Sequence, residues 1–378
     1  MANNWAFIIW VGVIALLHNI LEGRQEALTS RKVVQRTSWP WAIIMFLPVI
    51  IGAIFRKASE GDTGTYQAMF EDCPSHLSQI IPYLAAASRD KGYSAWSVLF
   101  KSIFGNNFRL FLAVNVIFCS IILIYIYRKY SSSYAISIFL FIAGFEYFQW
   151  MFNGIRQFIA VCIVLSCTEN IIAHRYRRII IPFAIAASFH MSVLIVLPCL
   201  LFVCGTAFNR RMCFVLAIVL FLGVLLGKTG HLNTIIAELM QSTQYDSVLN
   251  EFYETMNSGT NYLRVLVYLI PTIIAIIGLP YIRQANDPMI NFCTNMCAIS
   301  SVIYIVSMFT SALMIGRLPI YFSIYNYILL PWEVSHIFEL RSSKLITLTL
   351  VVCYLLYNFF QVSITYQQPF TLGFLSFI

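Results

Sequence analysis

Ionisable side chains are scarce in this chain. Asp and Glu number 16 and Lys and Arg 24 among 378 residues, so 11% are charged, against about a quarter in an ordinary soluble domain. A solvated globule is thereby excluded. Also missing are a Walker sequence, a Gly-rich nucleotide turn and a DxD pair, so neither a nucleotide hydrolase nor a nucleotide-sugar transferase has a signature here. The ten cysteines fall mostly inside apolar runs. Cys162 with Cys167 and Cys293 with Cys297 have no His or carboxylate at metal-ligand spacing, and only Cys73 lies clearly in a loop. They read as small buried hydrophobes, with no disulfide, no metal and no cofactor expected.

Apolar residues are what the chain has in abundance. Hydrophobic residues make up 60% and the mean hydropathy is +0.78. They come in runs of about 17 to 25 residues, each long enough as a helix to cross a hydrocarbon core of about 30 Å. The expected fold is all-α: a polytopic membrane protein of about 11–12 helices forming a single domain over residues 1–378. The spans read as 5–21, 41–55, 109–127, 134–151, 155–173, 179–204, 212–227, 263–282, 292–314, 318–334 and 345–364. The first follows the uncharged Met1-Ala2-Asn3-Asn4 without a basic n-region or a small-residue cleavage site. It therefore reads as a retained helix.

Short basic connections carry Arg24, Arg31, Lys32 and Arg36, then Arg128 and Lys129, then Arg175, Arg177 and Arg178. The positive-inside rule places these in the cytoplasm and the N-terminus outside. Two longer loops, 56–108 and 228–262, then fall on the outer face, and the second is acidic, with Glu238, Asp246, Glu251 and Glu254. A single crossing by 179–204 would invert every later basic cluster (Arg210 with Arg211, Arg283, and Arg341 with Lys344). A helix broken near Ser188 to His190, going out and returning, keeps all of them inside. The broken form is the expectation, with His190 at the rim of a cavity, because irregular backbone at membrane depth needs protein or water around it. The net charge of +8 then reads as this cytoplasmic fringe against anionic membrane lipids, not as a surface for nucleic acid.

Polar residues at membrane depth carry the functional signal. Residues 134–173 are too long for one crossing, and Asn153-Gly154 is the turn signal within them. Arg156 then lies in the first turn of the next helix, where free N–H groups and the helix dipole favour an anion. Asn153, Arg156 and Gln157 at i, i+3 and i+4 would share one side of a helix. A guanidinium fork beside amide donors suits phosphate. The plainer alternative is an Arg156–Glu146 ion pair closing the hairpin. His190, in Ser188-Phe189-His190-Met191-Ser192, is either a helix-to-helix hydrogen bond or a general base. Arg56, Asp62 and Tyr66 open the first outer loop, as solvated anchors or as an anion ligand beside an acid. Arg317, between Gly316 and Pro319, is a further candidate anion ligand. Tyr66, Tyr83, Tyr93, Trp96, Tyr245, Tyr253 and Tyr262 are candidates for stacking on sugar rings.

Phe152 to Leu165 (FNGIRQFIAVCIVL), followed by Ile185 to Cys199 (IAASFHMSVLIVLPC), resembles the central signature of the EpsG-type, Wzy-like polysaccharide polymerases. The stretch Arg56 to Glu71 is similar to the family's first outer loop. One departure is Asp90 to Trp96, reading DKGYSAW after Arg89, where many relatives place a Glu or Pro before the aromatic residue. The resemblance implies joining of oligosaccharide repeat units held on polyprenyl pyrophosphate, on the outer face of the bacterial inner membrane, in a fold similar to GT-C glycosyltransferases. It implies no nucleotide donor, and pyrophosphate leaves well enough that no metal is required. It marks Arg56, Asp62, Tyr66, Asn153, Arg156, Gln157 and His190 as site residues, with a chain-length regulator as a partner. Two other readings stand beside it. A flippase for the same lipid-linked oligosaccharide would use the same arginines, although no internal repeat is visible. A membrane acyltransferase would build on His174 among Arg175 to Arg178.

Overall fold

The computed structural model describes residues 5–29 and 36–365, with side chains from 5–21 and 36–365. Arg31 and Lys32 lie outside the described residues, and so does the side chain of Arg24. Helix accounts for 80% and no strand occurs among the described residues. The chain is an all-α polytopic membrane protein. In hydrocarbon a helix satisfies its own backbone groups, which is why the apolar runs adopt it. Its starts are set by small polar residues at the run edges. The Asn107 carboxamide accepts from Leu110 N–H at 3.0 Å, that of Asn209 from Met212 N–H at 3.0 Å, and the Asp287 carboxylate from Met289 and Ile290 at 2.7 and 3.1 Å.

Among the described residues, four helices are long and apolar enough to cross a membrane: Phe108–Tyr130, Arg210–Lys228, Pro288–Ser307 and Leu340–Thr365. Two bent pairs bring the number to as many as six, and Trp5–Leu21, Trp39–Phe55, Ile155–Ser166 and Ile180–Phe189 are apolar but shorter. Three expected spans are interrupted. The 134–151 run bends by 67° between Tyr134–Ala143 and Glu146–Asn153, at Gly144 and Phe145, whose φ is +65°. The 263–282 run bends by 72° between Tyr262–Ile277 and Leu279–Ala285, at Gly278 before Pro280. The 318–334 run is in pieces: a 3-10 turn at Ile315–Arg317, then Ile320–Ser323 and Asn326–His336. The loops 56–108 and 228–262 hold helices of their own, among them Thr63–Asp72, Lys91–Phe104 and His231–Gln241.

The chain divides into two compact units. The first takes the described parts of Met1–Ile81, Ala95–Cys162 and Phe338–Ile378. Its Trp39–Phe55 helix packs between Trp5–Thr29 and Phe108–Tyr130. At one end Arg128 Nε donates to Thr37 O at 2.7 Å and its guanidinium lies 4.4 Å from the Trp39 ring. At the other, Arg109 Nη1 donates to Ile54 O at 2.8 Å, satisfying a C-terminal carbonyl of the same helix. The two helices therefore run antiparallel, with Arg36, Arg128 and Lys129 gathered at one end. Lys101 closes the Thr63–Asp72 helix in the same way, with Nζ donating to Phe70 O, Glu71 O and Cys73 O at 3.2, 2.6 and 2.7 Å.

The second unit, Pro82–Ser94 with Ile163–Ile337, is organised on Pro288–Ser307. Tyr262–Ile277, Arg210–Lys228 and Asn326–His336 pack on this helix. By contrast, Arg210–Lys228 leaves Phe214, Phe221 and Leu225 exposed, an apolar surface suited to lipid. The 179–204 run breaks where the sequence places the break. Ile180–Phe189 is helical, His190 is extended (φ −158°, ψ 112°), and a 3-10 turn follows over Met191–Ile195. The run also returns. Cys204 Sγ donates to Ile171 O at 3.4 Å, and the thiol lies against the Tyr176 hydroxyl. A single helix over the same residues would separate its ends by about 38 Å. Two buried amides then satisfy the irregular backbone after Cys199. Asn295 Nδ2 donates to Val203 O and Thr206 O at 2.8 and 3.3 Å, its Oδ1 accepts from Phe208 N–H at 2.9 Å, and Asn291 Oδ1 accepts from Ala207 N–H at 3.2 Å.

Candidate functional site

In the first unit, the sequence candidates gather where the Trp39–Phe55 helix ends. Arg56 is 1% exposed. Its Nε donates to Thr63 Oγ1 at 2.7 Å, its Nη1 to Ala53 O and Met151 O at 3.0 and 3.5 Å, and the Phe152 ring lies 5.2 Å from Cζ. Two of the three guanidinium nitrogens of Arg56, an expected anion ligand, are thus engaged by the protein in this conformation. They tie the helix end to Thr63 and to the Glu146–Asn153 helix.

The turn after Arg56 closes through Glu60 N–H on Lys57 O at 3.0 Å and Thr63 N–H on Glu60 O at 3.1 Å. Gly61, at φ +51°, lies so close to the Asn153 carboxamide that a Cβ would overlap it, and Asp62 N–H donates to Asn153 Oδ1 at 3.3 Å. Asn153 is thus a latch on the outer turn. Gly61→Ala is expected to cost about 1–3 kcal/mol, from left-handed backbone and overlap together. The measurement is trypsin cleavage after exposed Lys57, which should accelerate. Unchanged protection would show that Asn153 does not hold the turn.

Asp62 is exposed and precedes the Thr63–Asp72 helix, on which Tyr66 is buried. Glu146 opens the Glu146–Asn153 helix and is also buried. Gly154 (φ −105°, ψ 47°) then interrupts the helix, and Ile155–Ser166 begins, putting half-buried Arg156 in its first turn as expected. The guanidinium Cζ lies 5.7 Å from the centre of the Tyr66 ring. The shared helical side expected for Asn153, Arg156 and Gln157 is not formed. The break at Gly154 uncouples Asn153 from the later turn, and Gln157 is buried. Beside the latch, Glu60, Gly61, Phe145, Phe148, Gln149, Phe152 and Asn153 line a pocket with about 10 Å³ of free space. That is room for about one water.

The second unit holds His190 and Arg317. His190 Nδ1 is 2.7 Å from Ser192 Oγ, which is 2.9 Å from the Tyr321 hydroxyl. The His190 ring centre is 6.4 Å from that of Tyr245. Both long loops meet at this apex. Asp90 N–H donates to Gln244 Oε1 at 3.4 Å, Tyr93 packs edge-on to Phe189 at 6.2 Å, and a Cβ on Gly92 would overlap Ser188. Burial, with the Asp90 carboxylate beside it, pushes the Tyr245 phenol up to about 12, so it is a hydrogen-bond donor at neutral pH. Arg317 is half-buried in the 3-10 turn that Gly316 and Pro319 flank.

Among the other sequence candidates, Tyr253 and Tyr262 keep exposed rings, whereas Tyr93 is buried and Trp96 Nε1 is bonded to Asn115 Oδ1 at 3.0 Å. The ring of His174 bonds the Tyr176 hydroxyl at 2.9 Å. Ser192, Tyr321, Asp90 and Gln244 join the His190 cluster without having been singled out by any motif. The one signal in the sequence is that Ser192 stands two residues from His190. Glu333 is wholly buried, with no hydrogen-bond partner for either carboxylate oxygen among the described residues. Its apolar neighbours mask it in the sequence. No cluster of three His, Cys, Asp or Glu able to hold a metal occurs among the described residues.

Apolar helices, several of them bent or broken, define a multi-pass membrane protein. The chain belongs to the EpsG family, which it matches over residues 39–373. EpsG-like proteins are Wzy-type polysaccharide polymerases. No curated protein and no solved structure matches the chain.

Proposed function

We propose that the chain polymerises oligosaccharide repeat units carried on polyprenyl pyrophosphate, on the outer face of a bacterial inner membrane, into O-antigen or exopolysaccharide. The observation that carries this reading is Arg156. Its guanidinium sits in the first turn of a helix, half-buried, against a tyrosine of the Thr63–Asp72 helix. The growing glycan is the donor, its anomeric carbon bonded to the lipid pyrophosphate. A hydroxyl of the incoming unit bonds that carbon, and the carbon–oxygen bond to pyrophosphate breaks, its electron pair leaving with the phosphate. Arg156 neutralises the charge that develops there, which is electrostatic stabilisation of the transition state. Arg317 or Arg56 is the further candidate cation for that role. His190 takes the hydroxyl proton, and exposed Asp62 is the alternative base. Tyr66 and Gln157 support the anion grip, and Asn153 holds the turn beside it.

Deletion of the gene tests the class. A strain lacking the polymerase should display single repeat units in place of long chains, and the restored gene should bring the long chains back. A surface with no repeat unit at all would identify a flippase instead.

A further inference from the structure

His190 does not stand alone. Its Nδ1 meets Ser192 Oγ at 2.7 Å, and that oxygen meets the hydroxyl of Tyr321 at 2.9 Å. Tyr321 comes from the Ile320–Ser323 helix, is 1% exposed, and is 129 residues away in the chain. A serine three residues after a helix end often serves only its local backbone. Here the hydroxyl also meets two side chains, one of them from a helix distant in the chain.

We infer that Ser192 and Tyr321 are positioning residues that fix the ring of His190 and keep its proton on Nδ1. This rests on the reading of His190 as the base. A serine oxygen has two lone pairs and can accept from the imidazole Nδ1–H and from the phenol together. A neutral imidazole protonated on Nδ1 carries its lone pair on Nε2, which then takes the proton of the attacking hydroxyl. The C–O bond to the anomeric carbon forms as the bond to pyrophosphate breaks, and the proton stays on the imidazolium. The Nδ1–H contact with Ser192 is the same before and after that transfer, so no group reorients during the step. With the opposite tautomer, Nδ1 would accept from Ser192 and Nε2 could not act as a base.

The ring is bordered by the Tyr245 phenol, which holds its proton at neutral pH, with Asp90 and Arg89 beyond it. The inference therefore turns on which nitrogen carries the proton, and not on a titration. Imidazole nitrogen spectra of the full chain in phosphatidylethanolamine–phosphatidylglycerol nanodiscs test it, with the His190 signal assigned by its loss in His190→Gln. The unaltered chain should show the Nδ1-protonated form. Ser192→Ala and Tyr321→Phe should each give a mixture of tautomers, and Ser192→Thr should keep the original form. In cells, Ser192→Ala should slow chain growth about tenfold, with Ser192→Thr within about twofold of normal. A His190 protonated on Nε2 in the unaltered chain, or a tautomer indifferent to Ser192→Ala and Tyr321→Phe, overturns the inference. Normal polymer from His190→Gln would instead remove His190 from the mechanism while leaving the spectral result to stand.

Discussion

Arg156→Ala is expected to abolish long polymer while single repeat units still appear on the lipid-linked core. The guanidinium is the group assigned to the leaving pyrophosphate. Removing one such stabilising group typically costs about 100- to 1000-fold in rate, which at every addition leaves no long chain. The contact of Arg156 with the Tyr66 ring at 5.7 Å is worth about 0.5–1 kcal/mol at a partly exposed position. Arg156→Lys keeps the charge but loses the two-pronged geometry, so short chains with a lower mean length are the expected product. Glycan ladders from a deletion strain carrying each variant, normalised to protein in the membrane, make the comparison. Full-length ladders from Arg156→Ala at normal expression would end the assignment.

Asn295→Leu carries the largest expected effect on stability. One carboxamide, wholly buried on the Pro288–Ser307 helix, serves two carbonyls and one N–H of the non-helical stretch 203–208. Water cannot replace it there. A buried donor or acceptor left without a partner costs about 1–3 kcal/mol, so the loss is on the order of 3–6 kcal/mol. Asn295→Asp keeps the acceptor for Phe208 N–H but loses both donors, and should also unfold early. Thermal unfolding of the purified chain in detergent provides the readout. A midpoint for Asn295→Leu within about 2 °C of the unaltered protein would show that the stretch finds other partners.

The class of fold was legible because it depends on composition and run length, which burial in lipid constrains strongly. The break at His190 was legible too, since the charges beyond it could be reconciled in no simpler way. Arg156 was placed correctly in a first helical turn because Asn153-Gly154 is a local signal. What was hidden depends on partners distant in sequence. Nothing in the sequence joins Arg56 to Thr63, Ala53 and Met151, which engage its Nε and Nη1. Asn153 looks like a donor to substrate until Gly61 and Asp62 are found against it. The bends at Phe145 and Gly278 were missed because apolar residues continue through them, and hydropathy registers burial but not direction. Lys101 reads as a surface charge, yet it closes a helix 30 residues upstream.

The closure of Cys204 on Ile171 fixes the parity of the polypeptide. An excursion that ends beside its own starting point contributes an even number of passages, whatever its depth, so it cannot reverse the sidedness of what is threaded afterwards. The Arg210–Lys228 helix therefore starts from the end at which residues 175–178 lie, and the acidic 228–262 segment follows from its other end.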